Sequence, residues 1–142
     1  MVYFDGDIDH ISTDPVRILL IEDDGSTADI IQVAMRSLGF PYKLDVAYSA
    51  EEGLQLWRYQ PYNLLLTDYN LRGMTGLAVI QQLQSEGMNG PIVFFTAYDG
   101  VDVRRAAKQL GVSAYITKPF FVDQFVKTVR GLLPTQADEY GA

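Results

Sequence analysis

Residues 17–24 read Arg-Ile-Leu-Leu-Ile-Glu-Asp-Asp, a short apolar run that ends on consecutive acids. Three later runs also end on a polar side chain: residues 63–67 on Asp68, residues 92–95 on Thr96, and residues 114–117 on Lys118. Apolar runs of this length between helical patterns are typical of buried parallel strands. Because ligands bind at the carboxyl edge of an open parallel sheet, we expect these polar side chains to meet there.

Helical patterns alternate with these runs. Residues 26–38 carry apolar side chains at helical spacing, and residues 43–47 indicate a further short strand. Ser49-Ala50-Glu51-Glu52 has the form of a capping box at the start of a helix. Three more helices are expected near residues 76–86, 99–110 and 122–133, with Asp99 as the cap of the second. Five βα units predict an α/β fold, with a five-stranded parallel sheet doubly wound as a three-layer sandwich.

Composition restricts the functional classes. The 142 residues suit one domain, and the net charge of −7 argues against direct binding to nucleic acid or to an anionic membrane surface. The chain has no cysteine, no apolar stretch of bilayer length and no signal-peptide pattern at its start. We therefore expect a cytoplasmic protein.

Charge also suggests where the domain begins and ends. Residues 1–15 contain four aspartates and no Lys or Arg, which favours a flexible acidic arm. The domain is predicted over residues 16–133, and a flexible tail over residues 134–142. The single histidine, His10, falls in the arm and is given no role.

Three acids are expected to crowd at the carboxyl edge: Glu22, Asp23 and Asp68. Two like charges about 4 Å apart repel by roughly 4 kcal/mol at an effective dielectric constant of 20. Either a cation should bind there or one acid should be protonated. Oxygen ligands alone favour Mg²⁺, with Mn²⁺ as the second choice. Beside a hydroxyl and an ammonium group, such an ion indicates phosphoryl chemistry, in which a carboxylate can act as the nucleophile.

Four motifs, each at a strand end, together resemble the receiver domain of response regulators in two-component signalling. They are Ile21-Glu22-Asp23-Asp24, Leu66-Thr67-Asp68-Tyr69-Asn70, Phe95-Thr96-Ala97 and Thr117-Lys118-Pro119-Phe120. The resemblance covers about residues 16–133 and implies a flavodoxin-like fold, as in single-domain chemotaxis regulators. One departure is Arg72, which stands where the family usually has a loop proline.

The resemblance implies roles for residues at the acidic edge. Asp68 resembles the phospho-acceptor, and Lys118 the lysine that binds the phosphoryl group. The carboxylates of Asp23 and Asp68 and the main-chain carbonyl of Asn70 would bind Mg²⁺ directly, whereas Glu22 would act through water.

The resemblance also implies a switch. Thr96 matches the hydroxyl that moves toward the phosphoryl group, and Tyr115 matches the aromatic residue that then turns inward. The bond between Lys118 and Pro119 is expected to be cis, an isomer largely confined to X-Pro bonds.

Partners follow from the same resemblance. A histidine kinase or a histidine phosphotransfer protein would phosphorylate Asp68, and the switched surface would bind a downstream protein. The chain would catalyse its own phosphorylation and dephosphorylation without being a conventional turnover enzyme. It would be a monomer or a weak dimer. A stand-alone regulator, a phosphorelay intermediate and a receiver cut from a larger protein all remain open.

Three alternatives belong to other classes. A receiver-like interaction module that works without phosphorylation would bind Mg²⁺ weakly. A flavin carrier would need a phosphate-binding loop after the first strand, where the acids at residues 22–24 would repel a phosphate. An aspartyl phosphatase would usually have a second acid at the position of Asn70.

Overall fold

A computed structural model describes residues 14–133 as five strands alternating with five helices. The strands are β1 (Val16–Ile21), β2 (Tyr42–Ala47), β3 (Leu64–Asp68), β4 (Ile92–Thr96) and β5 (Ala114–Thr117). The helices are α1 (Gly25–Met35), α2 (Ala50–Tyr59), α3 (Gly76–Ser85), α4 (Val101–Gln109) and α5 (Val122–Leu132). The predicted order of elements is confirmed.

All five strands are parallel and lie in the order β2-β1-β3-β4-β5. The register pairs Ile21 with Thr67 and Asp68 with Phe95, so β1, β3 and β4 end close to one level. The chain reverses its direction of winding between β1 and β3, which lie side by side. A doubly wound sheet binds ligands at such a switch point, beyond the carboxyl ends of the strands.

Alternate strand residues supply two cores, one on each face of the sheet. Leu19, Leu65 and Phe94 pack on the face covered by α2, α3 and α4. Their neighbours in sequence, Leu20, Leu66 and Phe95, pack on the face covered by α1 and α5. Since every residue of β3 and β4 is buried, these strands are apolar on both faces, as the continuous apolar runs predicted. The three-layer sandwich is confirmed.

Helix ends differ from the prediction in two places. Helix α1 ends at Met35, before the predicted Leu38, because residues 36–38 make tighter turn bonds to carbonyls three residues earlier. The predicted cap at Asp99 is wrong. The N-cap residue of helix α4 is Gly100, which has no side chain to cap it. The carboxylate of Asp99 instead accepts hydrogen bonds from Arg104.

The predicted capping box is confirmed at the start of α2. The Ser49 hydroxyl accepts the Glu52 N–H at 3.1 Å, and a carboxylate oxygen of Glu52 accepts the Tyr48 N–H at 2.7 Å. The side chain of Glu52 thus reaches one residue further back than in the standard box. Both bonds satisfy donors that the helix itself cannot pair.

Ser49→Ala is expected to lower the free energy of unfolding by about 1 kcal/mol, because the Glu52 N–H loses its acceptor. Urea denaturation followed by the fluorescence of Trp57 measures this change. Ser26→Ala is the matched control, since Ser26 is exposed within the first turn of α1 and is not its capping residue. Equal midpoints for the two variants would contradict the cap.

The predicted acidic arm, apart from residues 14 and 15, and the predicted tail lie outside the described residues. Within residues 14–133, no helix is both long enough and apolar enough to cross a membrane.

Candidate functional site

The carboxyl edge of the sheet brings three acids together. Glu22 directly follows β1, Asp68 ends the neighbouring β3, and Asp23 lies beside them in the loop after β1. Each offers a carboxylate oxygen, and these oxygens lie within 4.8 Å of one another. The side chain of Glu22 is fully buried, and Asp68 is only 5% exposed. The predicted convergence of acids is thus present, and it lies at the switch point of the sheet.

Lys118 reaches this cluster from the end of β5. Its ammonium group donates to Glu22 Oε1 at 3.0 Å and to Asp68 Oδ2 at 3.1 Å. Burial lowers the pKa of Lys118, but the hydrogen bond to Glu22 and the charge of Asp68 outweigh it, so its pKa is raised overall. Lys118 therefore stays protonated and offsets one of the three negative charges.

The surroundings of Glu22 raise its pKa. Burial raises its pKa, and the neighbouring charge of Asp68 raises it further. The hydrogen bond from Lys118 works in the opposite direction, and the resulting pKa is about 7. Without a bound cation, Glu22 is therefore partly protonated near neutral pH, one of the two outcomes that crowding of these acids predicts.

Asp68 is held at both carboxylate oxygens. Oδ2 accepts from Lys118, and Oδ1 accepts the Tyr69 N–H at 2.7 Å. Two donors fix the orientation of the side chain. A carboxylate whose orientation is fixed in a nearly buried position can act as a nucleophile.

The hydroxyl of Thr96 lies at the end of β4, next to β3. It is fully buried, accepts the Tyr98 N–H at 2.9 Å and donates to the Tyr98 carbonyl at 3.1 Å. Its hydrogen bonds therefore go to its own loop. The sequence placed Thr96 correctly at the edge but gave no signal for this orientation.

Asn70 and Arg72 lie in the loop between β3 and α3. Asn70 is exposed and forms an antiparallel bridge with Thr75, which closes the loop. The carbonyl of Arg72 accepts the Ala50 N–H at 3.3 Å, which ties the loop to the start of α2. The loop is thus anchored by backbone bonds although Arg72 replaces the usual proline.

Gly76 supports the acidic cluster from behind, a contribution that the sequence analysis missed. A Cβ atom at this position would overlap the carbonyl oxygen of Asp68, so α3 can begin here only with glycine. The Gly76 N–H also donates to the Tyr69 carbonyl at 2.7 Å. The glycine itself is visible in the sequence, but the close approach of two backbones is not.

Gly76→Ala is expected to lower the free energy of unfolding by about 2 kcal/mol, because β3 and α3 must move apart. Gly131→Ala, the same change inside α5, is the control. A Cβ at Gly131 would meet nothing within 4 Å, so alanine should cost nothing or stabilise the helix. Urea denaturation of both variants measures the difference, and equal losses would contradict the packing argument.

Tyr115 and the Lys118–Pro119 bond complete the predicted set. The bond is cis, as expected from the resemblance. Tyr115 lies on β5 with its ring centre 5.5 Å from that of Phe94, and its hydroxyl oxygen is buried. The aromatic residue expected to turn inward is therefore half-buried in this structure, with its hydroxyl oxygen shielded from solvent.

The donor set of the cluster suits a hard cation. It consists of carboxylate oxygens alone, and the chain contains no cysteine. Three carboxylates against one ammonium leave an excess of negative charge, which a divalent ion would neutralise. The residues present therefore fit Mg²⁺ or Mn²⁺.

Comparison with known proteins places the chain in a family. The family model described as the response regulator receiver domain matches residues 18–130. A receiver domain protein (CheY-like) from Methanospirillum hungatei JF-1 superposes with a TM-score of 0.79 at 25% identity, over 89% of this chain and 99% of that one.

Curated relatives are longer than this chain. The cell cycle transcriptional regulator CtrA of Caulobacter vibrioides is 34% identical over 119 residues, which are 83% of this chain and 50% of CtrA. The transcriptional regulatory protein DltR of Streptococcus agalactiae is 33% identical over 81% of this chain and 50% of DltR. The chain thus spans about half the length of the curated relatives it matches. Its sequence, its fold and the acids gathered at the edge of its sheet agree, and the chain belongs to the response regulator receiver domain family.

Proposed function

We propose that this chain is a phosphorylation-controlled switch whose phospho-acceptor is Asp68. The observation that carries the proposal is the contact of the buried Asp68 carboxylate with Lys118, inside a cluster completed by Glu22 and Asp23. This combination supplies a nucleophile, a fixed positive charge and ligands for a cation at one point.

The donor in this proposal is a phosphohistidine, on a histidine kinase or a histidine phosphotransfer protein. A carboxylate oxygen of Asp68 bonds to phosphorus while the P–N bond breaks and its electron pair returns to the imidazole ring. Lys118 already donates to Asp68, so its ammonium group is placed to neutralise an oxygen of the incoming phosphoryl group. The Thr96 hydroxyl would donate to another oxygen after leaving the Tyr98 carbonyl.

The metal ligands in this proposal are Asp23, Asp68 and the main-chain carbonyl of Asn70, with Glu22 acting through water. The proximity of the three acids Glu22, Asp23 and Asp68 supports it, and Asn70 lies two residues beyond Asp68. When bound, Mg²⁺ would neutralise the charge that develops on the transferred group. Deprotonated Glu22 would balance the added positive charge.

Exposed apolar side chains on α1 and beside the start of α5 support a protein partner. Ile30 and Val33 on α1 are 52% and 56% exposed, and Phe121, just before α5, is 77% exposed. Helices α1 and α5 cover the same face of the sheet, so these side chains can form one docking surface for the phosphodonor. The net charge of −7 argues against direct contact of this domain with nucleic acid.

Further parts of the proposal concern the whole protein. We propose a cytoplasmic protein, a monomer or weak dimer, that passes its signal to a downstream protein. Because the curated relatives are twice as long, the domain can act as a stand-alone regulator, as a relay intermediate or as the receiver part of a longer chain.

The test is intact-mass spectrometry after incubation of the full chain with acetyl phosphate. One added phosphoryl group in the presence of Mg²⁺, and none in EDTA, is the expected result. A phosphohistidine protein from a known kinase serves as a second donor. If neither donor modifies the chain, the proposal fails, and a receiver-like interaction module that works without phosphorylation becomes the better description.

A further inference from the structure

The positively charged side chain of Arg104 lies over the ring of Tyr115. The guanidinium carbon of Arg104, on α4, is 4.6 Å from the centre of the ring, on β5. Phe94 contacts the same ring from within the sheet. The hydroxyl oxygen of Tyr115 is buried and has no hydrogen-bond partner within residues 14–133. Packing between Arg104 and Phe94 thus holds this ring, and its hydroxyl lies near enough to the Asp99 carboxylate to feel its charge.

Arg104 is in turn fixed by Asp99. One guanidinium nitrogen donates to both carboxylate oxygens of Asp99 at 2.7 Å, and Nε donates to one of them at 3.1 Å. Such a paired contact holds the guanidinium plane in a defined orientation. The side chain of Arg104 is still 55% exposed, so its position depends on this bond and on the ring beneath it.

Asp99 is connected to the hydroxyl of Thr96 through one intervening residue. Both backbone groups of Tyr98 pair with the Thr96 hydroxyl, and Asp99 follows directly. A hydroxyl has a single proton. When Thr96 donates to another acceptor, the Tyr98 carbonyl loses its donor, and the backbone that positions Asp99 loses one of these two bonds.

We propose that Arg104, held by Asp99, is a positioning residue that keeps the Tyr115 ring in its half-buried position, and that the coupling expected between Thr96 and Tyr115 passes through this pair by way of the backbone of Tyr98. The inference deepens the proposed function, on which it rests, since it names the side chains that link the phosphorylation site to the surface of α4 and β5. The route consists of three contacts within residues 96–115.

The test measures the exposure of the Tyr115 ring in the full chain, with no phosphodonor and no Mg²⁺. Tyrosine rings are labelled with carbon-13, the Tyr115 signal is assigned by its absence in Tyr115→Phe, and its relaxation by a soluble gadolinium chelate is recorded. In Arg104→Met we expect this relaxation to increase about two- to fivefold, the equivalent of about 0.5–1 kcal/mol for an exposed cation–π contact. Asp99→Asn should change it in the same direction.

Arg105→Met is the matched control, because Arg105 is the neighbouring exposed arginine of α4. It should leave the Tyr115 signal unchanged. If Arg104→Met behaves like Arg105→Met, the positioning role is overturned. A loss of fold cannot imitate the expected result, since the signals of the other labelled tyrosines report on the fold in the same spectrum.

A second pair of variants tests the link to Thr96. Thr96→Val removes the hydroxyl at nearly constant shape, whereas Thr96→Ser keeps it. We expect greater relaxation of the Tyr115 signal in the valine variant and the wild-type value in the serine variant. Equal values for the two would overturn the link. Because no phosphoryl group is involved, the result is independent of whether acetyl phosphate modifies Asp68, and failure of one proposal can be told from failure of the other.

Discussion

Asp68→Asn is expected to abolish phosphorylation by acetyl phosphate, with no adduct detectable by intact mass under conditions that modify the wild type. The amide keeps the shape of the side chain but is a far weaker nucleophile than a carboxylate. It also removes the charge that Lys118 and a bound cation would oppose. An adduct of wild-type amount in this variant would remove Asp68 as the acceptor.

Loss of the fold would be a trivial cause of such a result, but the geometry argues against it. Asp68 raises the pKa of the buried Glu22, so removal of its charge relieves repulsion in the protein without a cation. The free energy of unfolding of Asp68→Asn, measured in urea and EDTA at neutral pH, should therefore be equal to that of the wild type or higher.

Asp24→Asn is the matched control for the same experiment. Asp24 is the third acid of the run after β1, but it is exposed, and it caps α1 by accepting the Thr27 N–H at 3.0 Å. Asparagine caps helices as well as aspartate does. This variant should be phosphorylated like the wild type, which would separate the chemistry of one acid from the general negative charge of the site.

Stability in the absence of a divalent cation is expected to decrease as the pH rises from about 5 to 8. Glu22 has a pKa of about 7 in the folded chain against an ordinary value of 4.5. Below pH 4.5 it is protonated in both states. Between these two values the unfolded chain releases a proton that the folded chain keeps, so the free energy of unfolding falls with pH. The full decrease is about 3 kcal/mol, at 1.36 kcal/mol for each pH unit between the two pKa values.

A divalent cation should reverse this decrease. Binding needs ionised carboxylates, so Mg²⁺ should stabilise the folded chain more at pH 8 than at pH 5.5. A concentration 100 times the dissociation constant adds about 2.7 kcal/mol. Urea denaturation followed by Trp57 fluorescence, with Mg²⁺ or with EDTA at each pH, measures both effects.

Glu22→Gln isolates the contribution of this one side chain. The amide does not titrate. In EDTA, the fall in the free energy of unfolding between pH 5 and pH 8 should therefore be smaller than in the wild type by most of the expected decrease of about 3 kcal/mol. Acids that do not contact Glu22 contribute equally to both proteins and cancel in the comparison. Parallel pH profiles for the two proteins would contradict the raised pKa of Glu22.

Much of the fold followed from the order of residues. Continuous apolar runs predicted fully buried strands, and β3 and β4 are buried along their whole length. The capping box at Ser49 was readable because its residues are local. The end of α1 and the cap of α4 were not, since several residues near each helix end can make competing bonds.

The convergence of the acidic cluster could also be predicted, but its individual contacts could not. Parallel strands end at one edge, and this rule alone brings Glu22, Asp68 and Lys118 together. Which oxygen Lys118 contacts, and how far the pKa of Glu22 rises, depend on distances of a few ångströms and on burial. No pattern in the sequence carries these quantities.

The sequence by itself determined the layered architecture and the chemical groups at the carboxyl edge of the sheet. The reason is that apolar runs and helical patterns, which alternate along the chain, can be recognised within short stretches of sequence. Only the tertiary structure decided that Gly76 must lie against the Asp68 carbonyl, and that the Thr96 hydroxyl pairs with its own loop. It likewise decided that Arg104 covers Tyr115. These contacts join different elements or choose among several possible partners, and their energies depend on positions that are set when the whole sheet and its helices pack.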